Sequence, residues 1–428
     1  MHRIPPEAFT GSTNFQLRRL MERLREGLYD PLAIRLLTAQ REELDARLQQ
    51  DLRQLEAGGT VQLIICGAYG QGKSHTLAYL REEALQRGYV VSAVNLDLRE
   101  IPLHQFRQVY RALLQGLTFP AAHAGSVDPT AFIDAWQAWA SAQPLAAVDP
   151  AAALATLLPS SMPHVFKAIL VALVQPTEVV PTSQRARVRF HDYRPAEFPW
   201  TLQRTLLGEP LPTAQLRAAL KYRQVSFYRE GPLALRDNEP FLQMVLALPQ
   251  LFLRMGYRGW VLLFDEGEAI AQLPRPVRAR SYRLLHRLLC PEPPLPGLYP
   301  VFAFTPDFFQ RLQEEDYYFL EFDRDYARAW RHLAVHQLRG LSRAAWHEIC
   351  DTLIALHASA YSWQADREHL RSALTARLGG LPLQDLRATL KALVEELDQV
   401  QQQAWFAPRP GSHGSSMTER PGGRTSAS

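Results

Sequence analysis

Apolar residues return at helical spacing from the start of the chain. Leu17, Leu20, Leu24 and Leu28, then Leu44, Leu48, Leu52 and Leu55, predict helical structure across 14–56. Gly58-Gly59 stops the second helix. Val61–Cys66 is a short apolar run rich in β-branched residues, the pattern of a buried strand. A glycine-rich loop occupies 67–72, a helix runs from Lys73 to about Gln86, and Gly88 ends it. Val90–Leu96 is a second strand, and Leu103–Leu117 a helix that buries Phe106, Val109, Tyr110, Leu113 and Leu114.

Between 118 and 238 the pattern loosens. Prolines recur at 120, 129, 144, 150, 159, 163, 176 and 181 with alanine-rich patches between them, which reads as a mostly helical insertion. Phe241–Met255 is an amphipathic helix leading into a third strand, Trp260–Phe264. Arg278–Leu289 is helical, Tyr299–Phe304 a fourth strand, Phe308–Leu312 and Tyr326–Arg331 short helices, and Leu333–Leu338 a fifth strand. Strands alternating with helices imply an α/β fold with a parallel five-stranded sheet covered on both faces. From Ser342 the pattern is all-helical, roughly 342–359, 364–377 and 382–403, as for a C-terminal helical lid. Pro408–Ser428 has no periodicity and reads as a disordered tail. The expected division is therefore 1–58, an N-terminal helical segment; 59–340, a sheet domain with the 118–238 insertion; 341–406, the lid; and 407–428, the tail. No internal repeat is evident.

Composition narrows the class. Hydrophobic residues make up 47% of the 428, enough for a full core. No apolar run approaches the roughly 20 residues of a membrane span, and MHRIPPEAF lacks a signal peptide's apolar core. Cys66, Cys290 and Cys350 are not spaced as a metal knuckle or redox pair. A cytoplasmic protein with reduced thiols is expected. The net charge is +4 and almost entirely arginine on the basic side, since only Lys73, Lys167, Lys221 and Lys391 are lysine. Arginine can meet nucleic-acid phosphates or reflect codon usage, and there is no long basic block. Thirteen histidines are scattered without metal spacing, so no zinc site is expected.

Candidate chemistry concentrates at strand ends. Gly67-Ala68-Tyr69-Gly70-Gln71-Gly72-Lys73-Ser74 fits G-x-x-x-x-G-K-[ST] between a strand and a helix. Its glycines let backbone amides wrap a phosphate, and the helix N-terminus faces the anion. Lys73 would hold the β- and γ-phosphates of ATP, and Ser74 would ligate Mg²⁺. His75 directly follows and joins the binding set. The strand from Gly259 ends in Asp265-Glu266, expected beside the loop: Asp265 to hold the metal and Glu266 to polarise the attacking water. Glu268 is a weaker candidate, expected to face solvent. Thr305 ends the next strand as a candidate γ-phosphate sensor, or else starts a turn before Pro306-Asp307. Arg324, Arg328 and Arg331 are candidates to reach a neighbouring subunit's ATP, or form a solvated helix face. Arg387 is a candidate γ-phosphate contact from the lid, or a surface salt bridge.

GAYGQGKSH at 67–75, MGYRGWVLLFDEGEAI at 255–270 and VFAFTPDFF at 301–309 resemble the ATP-binding protein family of bacteriophage-exclusion (BREX) systems, BrxD type. Trp200–Glu209 (WTLQRTLLGE) and Leu338-Arg-Gly-Leu341, followed by a helix with His357 and Tyr361, share that character. The resemblance runs from about 10 to 400 and is dense only around these motifs. More distantly the chain is similar to origin-recognition-type AAA+ proteins, which implies an AAA+-like P-loop sheet with a lid. The insertion does not align, and no winged-helix segment follows the lid. The resemblance implies anti-phage defence beside a methyltransferase, a helicase and a phosphatase-like protein, with ATP coupled to assembly or remodelling on DNA. Homo-oligomerisation is open. Two other readings are a nucleotide-switch scaffold that binds partners with little turnover, and an initiator- or transposition-type DNA loader.

Overall fold

The computed structural model describes residues 13–28, 30–120, 129–144, 150–175, 195–315, 321–381, 383 and 385–406. The disordered tail expected at 407–428 lies outside them. The chain divides into two compact units: Tyr29–Trp346 with Pro382–Arg387, and Met1–Leu28 with His347–Leu381 and Ala388–Ser428.

In the larger unit, β1 (Leu63–Cys66), β2 (Val90–Asn95), β3 (Leu117–Thr118), β4 (Trp260–Asp265), β5 (Leu298–Phe304) and β6 (Val335–Gln337) form one sheet in the order β3-β2-β4-β5-β1-β6. Five of these strands are parallel, and β3 pairs antiparallel to β2. The expected five-stranded parallel sheet is therefore corrected to a mixed sheet of six. Two residues of strand carry no legible period. The helix expected to reach Leu117 ends at Gln115, where Gly116 turns the chain so close to β2 that a Cβ would lie 3.2 Å from the Ala93 carbonyl.

Side-chain alternation along the strands builds two cores. Leu63, Ile65, Val261, Leu263, Tyr299, Val301 and Ala303 point to one face and pack with the leucines of helices Glu42–Glu56 and Lys73–Gln86. Ile64, Trp260, Leu262, Phe264, Leu298 and Phe302 point to the other, with helices Phe106–Gln115, Glu239–Arg254 and Arg275–Leu289. Strands buried on both faces read as continuous apolar runs, which is why their positions were legible. The 118–238 insertion is not a separate body. Trp136, Phe166, Ile169, Phe198 and Leu202 join that second core, and Tyr110 donates from the sheet-covering helix to the Leu206 carbonyl at 2.6 Å.

The region 14–56, expected as two helices, holds three: Asn14–Glu26, Pro31–Leu37 and Glu42–Glu56. Gly27 closes the first in the left-handed region at φ 70°. Asp30 caps the second by accepting from Leu32 N at 3.0 Å, with Pro31 set for its first turn. Because of this break, helix Asn14–Glu26 belongs to the smaller unit. Its Arg25 grips Asp398 through Nε at 2.7 Å and Nη2 at 2.6 Å, and Arg18 donates to the Ala360 carbonyl at 2.8 Å. Asp398 also meets His357 Nε2 at 2.9 Å, while Trp363 Nε1 donates to His357 Nδ1 at 3.0 Å. The 1–58 segment expected from sequence is thus divided, its first helix going with the helices assigned to the lid.

Two polar contacts stake the first face of the sheet. Tyr299, fully buried, donates to Asp51 at 2.7 Å, and Arg47 Nε completes the carboxylate at 2.8 and 2.9 Å. A hydrogen bond to a buried charged group contributes about 1.5–3 kcal/mol. Tyr299→Phe is expected to lose that amount in urea unfolding, with no change in the slope against denaturant. In the second contact, Thr38 spends its hydroxyl proton on the Ile34 carbonyl, so it accepts from His75 Nε2 at 2.8 Å. Burial holds the His75 imidazole down at about 4, against an ordinary 6.5. Between pH 6.5 and 4 the unfolded chain takes up a proton that the folded one refuses. The stability present above pH 6.5 is therefore lost as pH falls through that window. His75→Asn is expected to flatten this part of the acid slope, measured as the difference in thermal midpoint between pH 7 and pH 4.5.

Candidate functional site

β1 ends at Cys66, and the loop 67–72 leads into helix Lys73–Gln86. Gly70 and Gly72 stand at φ 81° and 93°, a region that a Cβ makes costly. The first bond inside the helix runs from Thr76 N to Gly72 O at 2.8 Å. The amides of Lys73 and Ser74, one turn earlier, have no acceptor within the helix and face out from its N-terminus. Gln71 folds back on the loop: its Oε1 accepts from Ala68 N at 2.7 Å. It shapes the loop from within, although sequence placed it in the ligand set. Tyr69 is 89% exposed at the loop's crest.

The register of the parallel strands brings the remaining groups to the same edge. Cys66 pairs with Phe304, and Phe264 with Phe302. β5 therefore lies between the loop strand and the acidic strand, whereas the sequence reading put Asp265 directly beside the loop. Thr305, at the tip of β5, falls between them and is half-buried. It occupies the N-cap position of helix Pro306–Glu314, but its side chain makes no capping bond, so the hydroxyl is not consumed in starting that turn. The Phe304 carbonyl accepts from Gly67 N at 3.1 Å and ties the loop to β5.

The chain reverses sharply after Asp265. Glu266 takes φ 54°, ψ 35°, a left-handed conformation that is strained for a residue with a side chain, and its N–H bonds Asp265 Oδ1 at 2.9 Å. Its carboxylate is exposed. Gly267 is pressed against β5 so tightly that a Cβ would lie 2.5 Å from Phe304 Cε1 and 2.8 Å from the Ala303 carbonyl.

That reversal sends Glu268 back toward the loop, and the expectation that it faces solvent is corrected. Its Oε1 lies 3.8 Å from Lys73 Nζ, with the two side chains only 21% and 8% exposed. Lys73 Nζ also donates to the carbonyls of Gly67 at 3.1 Å and Ala68 at 3.3 Å. Burial pushes the Glu268 carboxyl up, Lys73 opposes the shift, and Asp265 and Glu266 add to it. Three carboxylates and one ammonium thus share one electrostatic neighbourhood. Spacing alone could not find Glu268. The usable signal was Gly267, a residue without a side chain directly after two acids.

The other candidates fall at different places. Asp385 and Leu386 rest on the loop: Leu386 N donates to Gly70 O at 3.2 Å, and a Cβ on Gly72 would meet Leu386 Cδ1 at 2.9 Å. Arg387, the next residue, is exposed. Arg324, Arg328 and Arg331 are exposed on 323–331, where Arg324 Nη1 meets His286 Nε2 at 2.5 Å and lies 4.0 Å from Asp323. His75 points to Thr38 and not into the loop.

A nucleotide and its magnesium fit these residues on three counts. The loop needs residues without side chains where a polyanion would be wrapped, the helix start offers unspent amides, and a cation is already drawn to the site's centre. Among the described residues no helix is long and apolar enough to cross a membrane. No curated protein and no solved structure matches the chain. A sequence model of the BREX system ATP-binding proteins BrxC/D does match, over residues 14–159 and 234–414, and leaves out much of the insertion. With the loop, the acidic pair and well over half of the chain inside that match, the protein belongs to the BREX system ATP-binding family BrxC/D.

Proposed function

We propose that this family member hydrolyses ATP with magnesium, as an AAA+-like ATPase of the BrxD type. The observation that carries the reading is the Lys73 ammonium, held by two loop carbonyls and standing 3.8 Å from a carboxylate on the turn that follows Asp265-Glu266. A strand ending in a hydroxyl between the loop strand and the acidic strand supports the AAA+-like assignment.

In this reading the loop amides and the helix start bind the phosphates, and Lys73 neutralises the β- and γ-oxygens. Ser74 and Asp265 would hold the magnesium, which supplies charge neutralisation across the triphosphate. Glu266, exposed at the end of β4, takes the proton of the attacking water as general base. Thr305 orients that water or the γ-phosphate from the tip of β5. Arg387 reaches the γ-phosphate from the start of the helix that rests on Gly70, and one of Arg324, Arg328 and Arg331 serves a neighbouring copy. Turnover is coupled to assembly or remodelling on DNA, in the cytoplasm, beside methyltransferase, helicase and phosphatase-like proteins of the same defence system.

Lys73→Ala is expected to abolish ATP binding in calorimetry while thermal unfolding without nucleotide stays cooperative. Unchanged affinity would overturn the site. Glu266→Gln is expected to keep ATP affinity within a few-fold and to lower phosphate release by about 10²–10⁴-fold, the usual contribution of a positioned general base. If the wild type binds ATP tightly, releases no phosphate with or without duplex DNA, and captures partners only when loaded, the protein is a nucleotide switch and not a turnover enzyme.

A further inference from the structure

We propose that Glu268 is an internal competitor for Lys73: it holds the ammonium while the loop is empty of nucleotide, gives it up to the phosphates, and so sets nucleotide affinity. The proposal rests on the nucleotide reading of the loop. It assigns to a third acid a role that neither member of the Asp265-Glu266 pair fills.

The ammonium has three protons. Two are directed at the carbonyls of Gly67 and Ala68. The remaining attraction is to Glu268 Oε1, at ion-pair distance and beyond that of a hydrogen bond. Neither of the other acids is so placed. Asp265 Oδ1 is taken by the amide of Glu266, and the Glu266 carboxylate is exposed. Both side chains of the Lys73–Glu268 pair are largely out of water, so the attraction is screened less than on an open surface.

The pair is also held by its backbone. Gly267 has no room to shift against Phe304 and the Ala303 carbonyl, and the Phe304 carbonyl anchors Gly67. The turn that carries Glu268 and the loop that carries the Lys73 acceptors thus both abut Phe304 of β5. The pairing is nevertheless incomplete. Among the described residues Glu268 Oε2 is buried with no hydrogen-bond partner, and a buried acceptor left unmade is costly. A carboxylate bound to lysine through one oxygen at 3.8 Å, with the other unsatisfied, is a weak holder. A phosphate oxygen with full negative charge displaces it.

The test titrates magnesium-ADP and a non-hydrolysable magnesium-ATP analogue into wild type, Glu268→Gln, Glu268→Ala and Glu266→Gln, following heat. Thermal unfolding of each variant checks the fold, and the two Glu268 variants guard against a steric artefact in either. Removing the competitor is expected to tighten both nucleotides roughly three- to tenfold, the span of a partly screened ion pair. Glu266→Gln, which removes a charge from the same turn but not from Lys73, is expected to tighten them less than twofold. Unchanged or weaker binding in folded Glu268→Gln and Glu268→Ala overturns the proposal and leaves the nucleotide site standing. An equal gain in Glu266→Gln overturns it too, because the effect is then general charge. A wild type that binds neither nucleotide overturns the site reading itself, and this inference with it.

Discussion

The site depends on a lysine ammonium kept almost out of water. Lys73 is 8% exposed and has no fully bonded counter-ion, so its charge is carried by two peptide carbonyls and by one carboxylate at a distance. Burying a charge costs several kcal/mol unless dipoles and partners answer it. Here the answering dipoles belong to the loop that the lysine itself follows. The loop can present them only because Gly70 and Gly72 accept left-handed backbone, and it stays in place because β5 holds its first amide. The sheet, whose central strands β1, β4 and β5 are buried on both faces, is the rigid body that makes this affordable.

Much of that was legible in the chain. β1, β4 and β5 show as apolar runs, since a strand covered on both faces needs no alternation of polar residues, and the loop and acidic pair show at their ends. What did not show has physical reasons. β3 is two residues long and below any period. Strand order is a long-range property: nothing local in Tyr299–Phe304 says that it inserts between Leu63–Cys66 and Trp260–Asp265. Helix Asn14–Glu26 ends before the last leucine of its stripe: Leu28 is 48% exposed and Gly27 has already turned the chain. Its attachment to the C-terminal helices runs through Arg25 and Asp398, 373 residues apart, and a charge pair at that separation has no signature in a single sequence.

The insertion shows how composition can mislead. Proline-punctuated, alanine-rich sequence between 118 and 238 reads as a mostly helical insertion without defined elements, and several of its prolines sit at helix starts. Pro150 opens one helix, Pro163 and Pro212 sit at the N-caps of two more, and Pro199 stands in the first turn of a fourth. Between them, Trp136, Phe166 and Leu202 are wholly buried in the same core as Trp260 and Phe264. The segment left out of the family match, 160–233, therefore includes side chains of the same core cluster, where Phe166 packs on Tyr110 and Phe241 of the helices that flank the sheet.

Several departures from local preference lie at the edge where β1, β4 and β5 end. Glu266 is forced into left-handed backbone, Gly267 is wedged where no side chain fits, Glu268 keeps a buried oxygen without a donor, and Tyr69 is held out in water. Each is unfavourable by itself, and backbone strain of this kind costs about 1–3 kcal/mol per residue. None is needed to close the core, since the aliphatic packing on both faces of the sheet would be served as well by a glycine at 266 and an apolar residue at 268. A glycine at 266 would relieve the backbone strain, whereas an apolar residue at 268 would leave the buried Lys73 ammonium without its carboxylate. The strain at Glu266 is therefore set against stability, and a binding edge whose groups must be ready before the ligand arrives gives it a reason.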